Sequence, residues 1–231
     1  MVSRELPTGE AKTAAVRHMF DTIAPRYEML NRVMTFGLDS LWRRRSVRDL
    51  YLPRGSVVLD VASGTGDFVR ELEHQGLRAV GVDLSFGMLV AGHGMTSRVQ
   101  ADASRLPFGD HVFDGVTCGY ALRNFTDLAG TLVEIGRVVR PGGRLSVLEV
   151  AEPERGVLKA GFRLWFRRIV PLVGSVLSDR EAYAYLPKST AYLPPREELL
   201  QLFRDAGFRA VNHRRVMGGL SQQIIATKEE S

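Results

Sequence analysis

The sequence predicts an α/β protein built on a doubly wound, mostly parallel sheet of seven strands. Short runs rich in β-branched residues alternate with stretches of helical spacing between residues 56 and 151, the pattern of parallel strands joined by helices. A glycine turn follows the first strand, and an aspartate follows each of the next two. Because ligands bind at the carboxyl ends of strands in such sheets, these segments also predict a binding site.

Five strands are indicated in this core by β-branched runs such as SVVLDV. They lie at residues 56–61, 77–82, 98–101, 111–117 and 144–150. The helices between them have apolar residues three and four positions apart. They lie at residues 67–75, 85–91 and 128–139. Ser85 is a suitable N-cap for the second helix, and the Pro-Gly-Gly sequence at 141–143 ends the third.

The C-terminal part predicts one more helix and an antiparallel strand pair. The helix, at 195–206, begins with proline, has two glutamates in its first turn and is followed by Gly207, as is typical of helix ends. Strands at 209–215 and 222–227 follow it. Such a pair can extend the edge of a parallel sheet.

We expect a single Rossmann-like domain over residues 1–231, a length that one domain can reach. Its predicted parts are an N-terminal helical cap, the strand–helix core, a helical insertion after the fifth strand, and the C-terminal helix with its strand pair. They occupy residues 11–51, 56–151, 152–194 and 195–228.

The composition is that of a globular protein, with 45% hydrophobic and 25% charged residues. One cysteine, Cys118, excludes an internal disulfide and a cysteine metal cluster, and we expect no metal. No stretch approaches the roughly 20 apolar residues of a membrane span, nor does the N-terminus resemble a secretory signal. We therefore expect a cytoplasmic protein. The net charge of +5 leaves nucleic acid, a membrane surface and an anionic ligand open.

The glycine turn Gly64-Thr65-Gly66 raises the question of which ligand it accepts. Glycines allow a sharp turn and close approach of a ligand, and Asp83, after the second strand, can accept hydrogen bonds from both ribose hydroxyls. The dinucleotide fingerprint is broken at Val69. Asp67 would repel a pyrophosphate at the helix start. A positively charged nucleoside without phosphate, S-adenosylmethionine, fits this pattern better.

Two further aspartates belong to the same strand ends. Asp102 follows the third strand, where it can accept from an adenine amino group while the Ala103 amide faces a ring nitrogen. Asp60 lies inside the first strand, where we expect a structural role in hydrogen bonding to the glycine turn.

Four longer stretches make the chain resemble the ubiquinone/menaquinone biosynthesis C-methyltransferases, a family of class I methyltransferases. They are FDTIAPRYEMLNRVMTFGLDSLWRR, ADASRLPFGDHVFDGVTCGYALRNFTD, RVVRPGGRLSVLEVAEP and IVPLVGSVLSDREAYAYLPKS, at residues 20–44, 101–127, 137–153 and 169–189. The resemblance implies S-adenosylmethionine as cofactor and a prenylated quinol ring, most directly demethylmenaquinol, as methyl acceptor. It also implies cofactor contacts at Thr65, Asp83, Asp102 and Ala103, and one at Gly119, where the family often has serine.

Methylation of a ring carbon requires the quinol oxygen to be deprotonated or stabilised as an oxyanion. Arg123 is placed to pair with that oxygen or to orient a water, with Asn124 holding the same group. The alternative for Arg123 is a helix cap or an ion pair with a nearby acid. Tyr120 is the third catalytic candidate, beside Arg123 and Asn124. Tyr27 and Tyr120 can also close over the cofactor, where an aromatic face attracts a sulfonium. A packing role for Tyr27 is equally open.

The insertion contains a basic amphipathic stretch at 157–173, which predicts either peripheral contact with the inner face of a membrane or a lid helix whose apolar face is core. A homodimer is left open.

The competing interpretations are a natural-product methyltransferase acting on carbon or oxygen of a small aromatic, and, more remotely, a non-catalytic or nucleic-acid-binding protein. We expect no nucleic-acid partner, because no recognised nucleic-acid module is present.

Overall fold

A computed structural model of the chain describes residues 8–35, 37–92, 97–151, 189–216 and 219–230. Its strands are β1 (Val57–Val61), β2 (Arg78–Asp83), β3 (Arg98–Gln100), β4 (Phe113–Gly119), β5 (Val139–Val150), β6 (Phe208–Val216) and β7 (Ser221–Lys228). They form one seven-stranded sheet in the order β3-β2-β1-β4-β5-β7-β6. Every pairing from β3 to β5 is parallel, whereas β7 runs antiparallel to both β5 and β6. The predicted fold class and C-terminal strand pair are confirmed.

The described helices flank this sheet and precede it. They are α1 (Gly9–Ile23), α2 (Tyr27–Thr35), α3 (Asp39–Arg48), α4 (Asp67–His74), α5 (Phe86–Ala91), α6 (Leu128–Val138) and α7 (Arg196–Asp205). The predicted N-cap of α5 is confirmed, because the Ser85 hydroxyl accepts a hydrogen bond from the Met88 amide. None of the helices in the described residues is long and apolar enough to cross a membrane.

Helices cover the sheet on two faces, and each face has its own apolar cluster. Leu132 and Ile135 of α6 pack with Phe203 of α7 on one face. On the other face, α3 and its C-terminal loop pack with α4 through residues that include Val47, Leu50 and Leu72. Burying both faces is what a doubly wound sheet requires of its strands. The strand order reverses between β1 and β4, which is the position of the ligand crevice in such folds.

The fifth strand differs from its prediction. It begins at Val139, not at residue 144, because the chain returns to the sheet directly after α6. Phe113 pairs with Val139, but the next residue pair is Gly115 with Arg144. The Pro-Gly-Gly segment is therefore an irregularity inside the strand, and the positive φ of Gly142 (73°) allows it.

The predicted insertion lies almost wholly outside the described residues, which resume at Ser189. The amphipathic stretch at 157–173 lies outside them as well, so its two alternative roles stay predictions.

Candidate functional site

The glycine turn after β1 is a tight reversal that brings backbone close to two side chains. Gly64 and Gly66 have φ values of 56° and 88°, and Ala62 has 55°. A Cβ on Gly64 would lie 3.0 Å from the Met88 side chain and 4.0 Å from the ring of Tyr27. The positive φ values and the confined space explain the need for glycine at this turn.

Asp83, at the carboxyl end of β2, holds the glycine turn in place. Its Oδ2 accepts a hydrogen bond from the Gly64 amide at 2.8 Å, and its Oδ1 accepts one from the Ser85 amide at 2.8 Å. Burial raises the pKa of this carboxyl, although the backbone donors oppose the shift. The predicted pairing of the turn with an acid on the next strand is therefore present.

A cleft of about 420 Å³ opens at this edge of the sheet. Asp83, Asp102, Ala103 and Asn124 line it, together with one side of α1. Asp102 Oδ1 accepts from both the amide and the hydroxyl of Ser104, each at 2.8 Å. The structure thus brings four of the predicted site residues to one cavity at the carboxyl ends of the strands.

The other predicted cofactor residues are beside this cleft rather than among its lining residues. Tyr27 packs edge-to-face with Phe20, with ring centroids 6.2 Å apart, and burial raises its pKa. A Cβ on Gly119 would lie 2.8 Å from the Phe68 ring. A serine at position 119 would therefore require Phe68 to move, which explains why this chain has glycine there.

Two buried hydroxyls of the turn bear on whether a ligand fits. Among the described residues, Ser63 Oγ, Thr65 Oγ1 and Asn31 Nδ2 are buried without a hydrogen-bond partner. A buried polar atom without a partner is costly, so each needs an explanation. Ser63 packs against Gly81 of β2. Thr65 lies in the turn where the cofactor was predicted, beside the cleft rather than among its lining residues.

Helix α1 closes the cleft from the N-terminal side. Lys12 Nζ donates to the Phe125 carbonyl at 2.7 Å and lies 3.8 Å from the centroid of the Tyr192 ring. At the other end of α1, Asp21 accepts from the Ser85 hydroxyl and from the Gly87 amide at 2.5 and 2.9 Å. These contacts attach the helix to both rims of the cavity.

The acid at the start of α4 has contacts that the sequence did not reveal. Asp67 is paired with Arg43 at 3.0 Å and with Arg70. This differs from the expectation that Asp67 lies open to a cationic ligand, because two guanidinium groups already face it. The chain compensates with acids elsewhere, since Asp39 and Glu28 pair with the same two arginines.

Asp60 also has a partner different from the one expected. It accepts a hydrogen bond from the Thr117 hydroxyl of β4 at 2.8 Å, rather than one from the glycine turn. The side chain is buried in the sheet, and burial raises its pKa to about 8 despite that hydrogen bond. The bond joins β1 to β4 at the position where the strand order reverses.

Arg123 is buried and paired with Glu149 of β5, whose side chain is fully buried. Its Nη1 also donates to the Tyr120 carbonyl at 2.6 Å, and its Nε donates to the Ser189 hydroxyl at 3.1 Å. This is the alternative that the sequence left open, an ion pair with a nearby acid. Glu149 was missed, although an acid inside the apolar strand RLSVLEV was a signal for it.

Tyr120 occupies a strained position at the end of β4. Its φ is 59°, in the left-handed region that non-glycine residues rarely adopt. Its hydroxyl lies 3.2 Å from Ser221 Oγ, and burial raises its pKa to about 12. Backbone strain of this kind concentrates at functional sites. Tyr120 can donate a hydrogen bond but is poorly suited to act as a base at neutral pH.

In the part of the chain with described positions, no three His, Cys, Asp or Glu side chains are grouped as metal ligands. The polar atoms of the site are instead carboxylates, backbone amides and unpartnered hydroxyls. Such a set binds a nucleoside through hydrogen bonds to its hydroxyls and base.

The family model and the relatives that match this chain are named for the same kind of methyltransferase. A family model described as the ubiE/COQ5 methyltransferase family matches residues 8–228. A "Demethylmenaquinone methyltransferase" of Roseiflexus sp. (strain RS-1) is 42% identical, with 98% of each chain covered. A protein of the same name from Deinococcus radiodurans is 39% identical, covering 96% of this chain and 97% of its own.

Solved structures share the fold at lower identity. A methyltransferase from Thermotoga maritima, titled a possible histamine N-methyltransferase, has a TM-score of 0.67 at 22% identity, covering 92% of this chain and 99% of its own. The [4+2]-cyclase SpnF has a TM-score of 0.69 at 17% identity, with 97% of each chain covered. These likenesses establish the architecture, and the cyclase shows that the architecture alone does not determine a reaction.

Proposed function

The chain belongs to the ubiE/COQ5 methyltransferase family, and from this premise we propose that it methylates a ring carbon of a prenylated quinol, converting demethylmenaquinol to menaquinol. It is an S-adenosylmethionine-dependent methyltransferase, and the relatives named demethylmenaquinone methyltransferase indicate the acceptor. The structural observation that supports the cofactor is the hydrogen bond between Asp83 and the glycine turn, beside the unpartnered Thr65 hydroxyl. Family membership carries the choice of acceptor.

The residues that line the cleft and those of the turn beside it suit different parts of the cofactor. Asp83 would hold the ribose hydroxyls, and Asp102 with the Ala103 amide would hold the adenine edge. Thr65 and the backbone of Gly64, Gly66 and Gly119 would hold the amino-acid portion. When bound, S-adenosylmethionine supplies an electrophilic methyl group on its sulfonium. The protein contributes mainly by positioning, since an in-line transfer depends on the alignment of donor and acceptor.

The acceptor side of the reaction needs stabilisation of negative charge on a quinol oxygen. Arg123 is the cation we assign to this role, with Asn124 of the cleft as a second donor. The contacts of Arg123 with Glu149, Tyr120 and Ser189 use its Nε and Nη1 groups. The ion pair therefore fixes the plane of the guanidinium, and we assign the oxyanion contact to Nη2.

The prenyl tail and the membrane belong to the proposal as well. A prenylated quinol resides in the lipid phase, so the protein is expected to work at the inner face of the membrane. Peripheral contact through residues 157–173 and a homodimer remain predictions.

The test is a methyl-transfer assay with labelled S-adenosylmethionine and three acceptors in parallel. They are demethylmenaquinol, a demethylated prenyl benzoquinol and a tail-less naphthoquinol. We expect transfer to the prenylated naphthoquinol above both others. Transfer to the tail-less ring alone would contradict the proposed acceptor and favour a small-aromatic methyltransferase.

A further inference from the structure

A continuous chain of charged side chains joins the N-terminal helices to the glycine turn. Arg43 of α3 pairs with Asp39 on its own helix and with Asp67 at the start of α4. Asp67 in turn pairs with Arg70, and Arg70 pairs with Glu28 of α2 at 2.9 Å. Three separate helices therefore contribute to one network.

Arg43 is the buried centre of this network. Only 7% of the residue is exposed. Burial alone would lower its pKa, but attraction by Asp67 and Asp39 outweighs that effect and raises it. Replacing a buried ion pair by apolar residues is often neutral or stabilising, so burial of Arg43 is weak evidence for a role in stability alone.

The network ends on the cofactor turn. Arg70 Nη1 donates to the Thr65 carbonyl at 2.9 Å, while the Thr65 hydroxyl is one of the buried atoms without a partner in the described residues. The position of Thr65 thus depends on Arg70, and the position of Arg70 depends on Asp67 and Glu28. Arg43 is connected to the turn through Asp67.

We propose that Arg43 is a positioning residue for the cofactor, which couples docking of the N-terminal helices to the shape of the glycine turn through Asp67 and Arg70. This inference rests on the proposed function, because it concerns the site assigned to S-adenosylmethionine. It predicts that weakening the network lowers cofactor affinity, although Arg43 itself acts only through its neighbours.

The test is isothermal titration of S-adenosylhomocysteine into the full chain and its variants Arg43→Met, Arg70→Gln and the double variant. Thermal unfolding of each variant is measured in parallel. Arg214→Met is the matched control, because Arg214 forms an ion pair with Asp49 at the other end of α3 without contacting the turn.

We expect each single variant to raise the dissociation constant by about tenfold, which corresponds to a change of about 1.4 kcal/mol. The double variant should lose much less affinity than the product of the two single losses, because Arg43 acts on the turn only through Asp67 and Arg70. Arg214→Met should bind within about twofold of wild type, whatever its effect on the unfolding temperature.

Three results separate the possible failures. If the wild type does not bind S-adenosylhomocysteine, the cofactor assignment itself is wrong. If the wild type binds and a folded Arg43→Met binds equally well, the inference about Arg43 is wrong, whatever the affinity of Arg70→Gln, and the Arg43 ion pairs are structural. If Arg43→Met does not fold, Arg70→Gln and Asp67→Asn decide the question by the same affinity criterion.

Discussion

The Thr65 and Ser63 hydroxyls are both buried without partners in the described residues, yet the proposal gives only Thr65 a ligand. Thr65→Val should leave the free energy of unfolding unchanged or raise it, because a costly buried polar atom is removed. It should also raise the dissociation constant for S-adenosylhomocysteine about fivefold, the loss of one hydrogen bond. Urea unfolding and calorimetry measure the two quantities.

Ser63→Ala is the matched control for this prediction. It also removes an unpartnered hydroxyl, but from a side chain that faces Gly81 of β2. Its cofactor affinity should stay within about twofold of wild type. Equal losses of affinity in both variants would contradict the assignment of a ligand to Thr65.

Asp60 gives a prediction about pH. Its pKa rises from an ordinary 3.8 to about 8 in the folded protein. Between these two pH values the folded state keeps the carboxyl proton, whereas the unfolded state has released it. The favourable contribution of protonated Asp60 is complete below pH 3.8 and is lost progressively as pH rises to about 8. Asp60→Asn has no such proton to lose.

The stability of Asp60→Asn relative to wild type should therefore increase with pH between 5 and 8, by on the order of 1 kcal/mol per pH unit. Urea unfolding of both proteins at pH 5.5, 7 and 8.5 measures the difference in their free energies of unfolding. The contributions of other titrating groups are the same in both proteins and cancel. A difference that stays constant with pH would show that Asp60 is ionised in the folded protein.

The sequence was sufficient to predict which acids lie at the binding edge. It was not sufficient to predict which side chains from other segments pair with them. Asp83 and Asp102 follow strands, so their place at one edge could be predicted from the strand pattern alone. The pairing of Asp67 with Arg43 and of Arg123 with Glu149 could not, because these partners come from distant segments. The local pairs Asp39–Arg43 and Asp67–Arg70 have the four- and three-residue spacings that favour ion pairs on one helix.

At the scale of elements, α1 forms one wall of the cleft and is attached to its rims through Lys12 and Asp21. Lys12→Met removes the bond to the Phe125 carbonyl and the contact with the Tyr192 ring. We expect faster amide hydrogen exchange over α1 and a several-fold rise in the dissociation constant for S-adenosylhomocysteine. The reason is that loosely attached helices open more often.

Lys228→Met is the control, because Lys228 makes the same kinds of contact away from the cleft. Its Nζ donates to the Ala206 carbonyl at 3.2 Å and lies 5.5 Å from the centroid of the Phe208 ring. If both variants bind the cofactor like wild type, α1 is not part of the cofactor site.

Secondary structure was predictable where periodicity and end signals agree. The structure places α4 and α7 within one residue of each predicted end. Both have strong apolar spacing, and each is followed by a glycine of positive φ, Gly76 and Gly207. The start of β5 was not predictable. Local sequence at 141–143 favours a turn, and only pairing with Phe113 draws Val139 into the sheet.

At the scale of the whole molecule, the strand order accounts for the position of the binding site. The alternation of strands and helices predicted the parallel sheet, and the reversal between β1 and β4 then fixes the binding edge. The acceptor does not follow from the fold, since proteins with this architecture include a cyclase. It follows from membership of the ubiE/COQ5 methyltransferase family and from the relatives named demethylmenaquinone methyltransferase.

Transfer of a ¹³C-labelled methyl group from S-adenosylmethionine to demethylmenaquinol, followed by NMR of the product, tests the central claim most directly. The chemical shift distinguishes a methyl on a ring carbon from a methoxy group. Wild type should give the ring-carbon methyl. Asp83→Asn should give it at a rate at least about tenfold lower under subsaturating cofactor, because the ribose contact and the turn are both weakened. A methoxy product, or no transfer by a wild type that binds S-adenosylhomocysteine, would contradict the account.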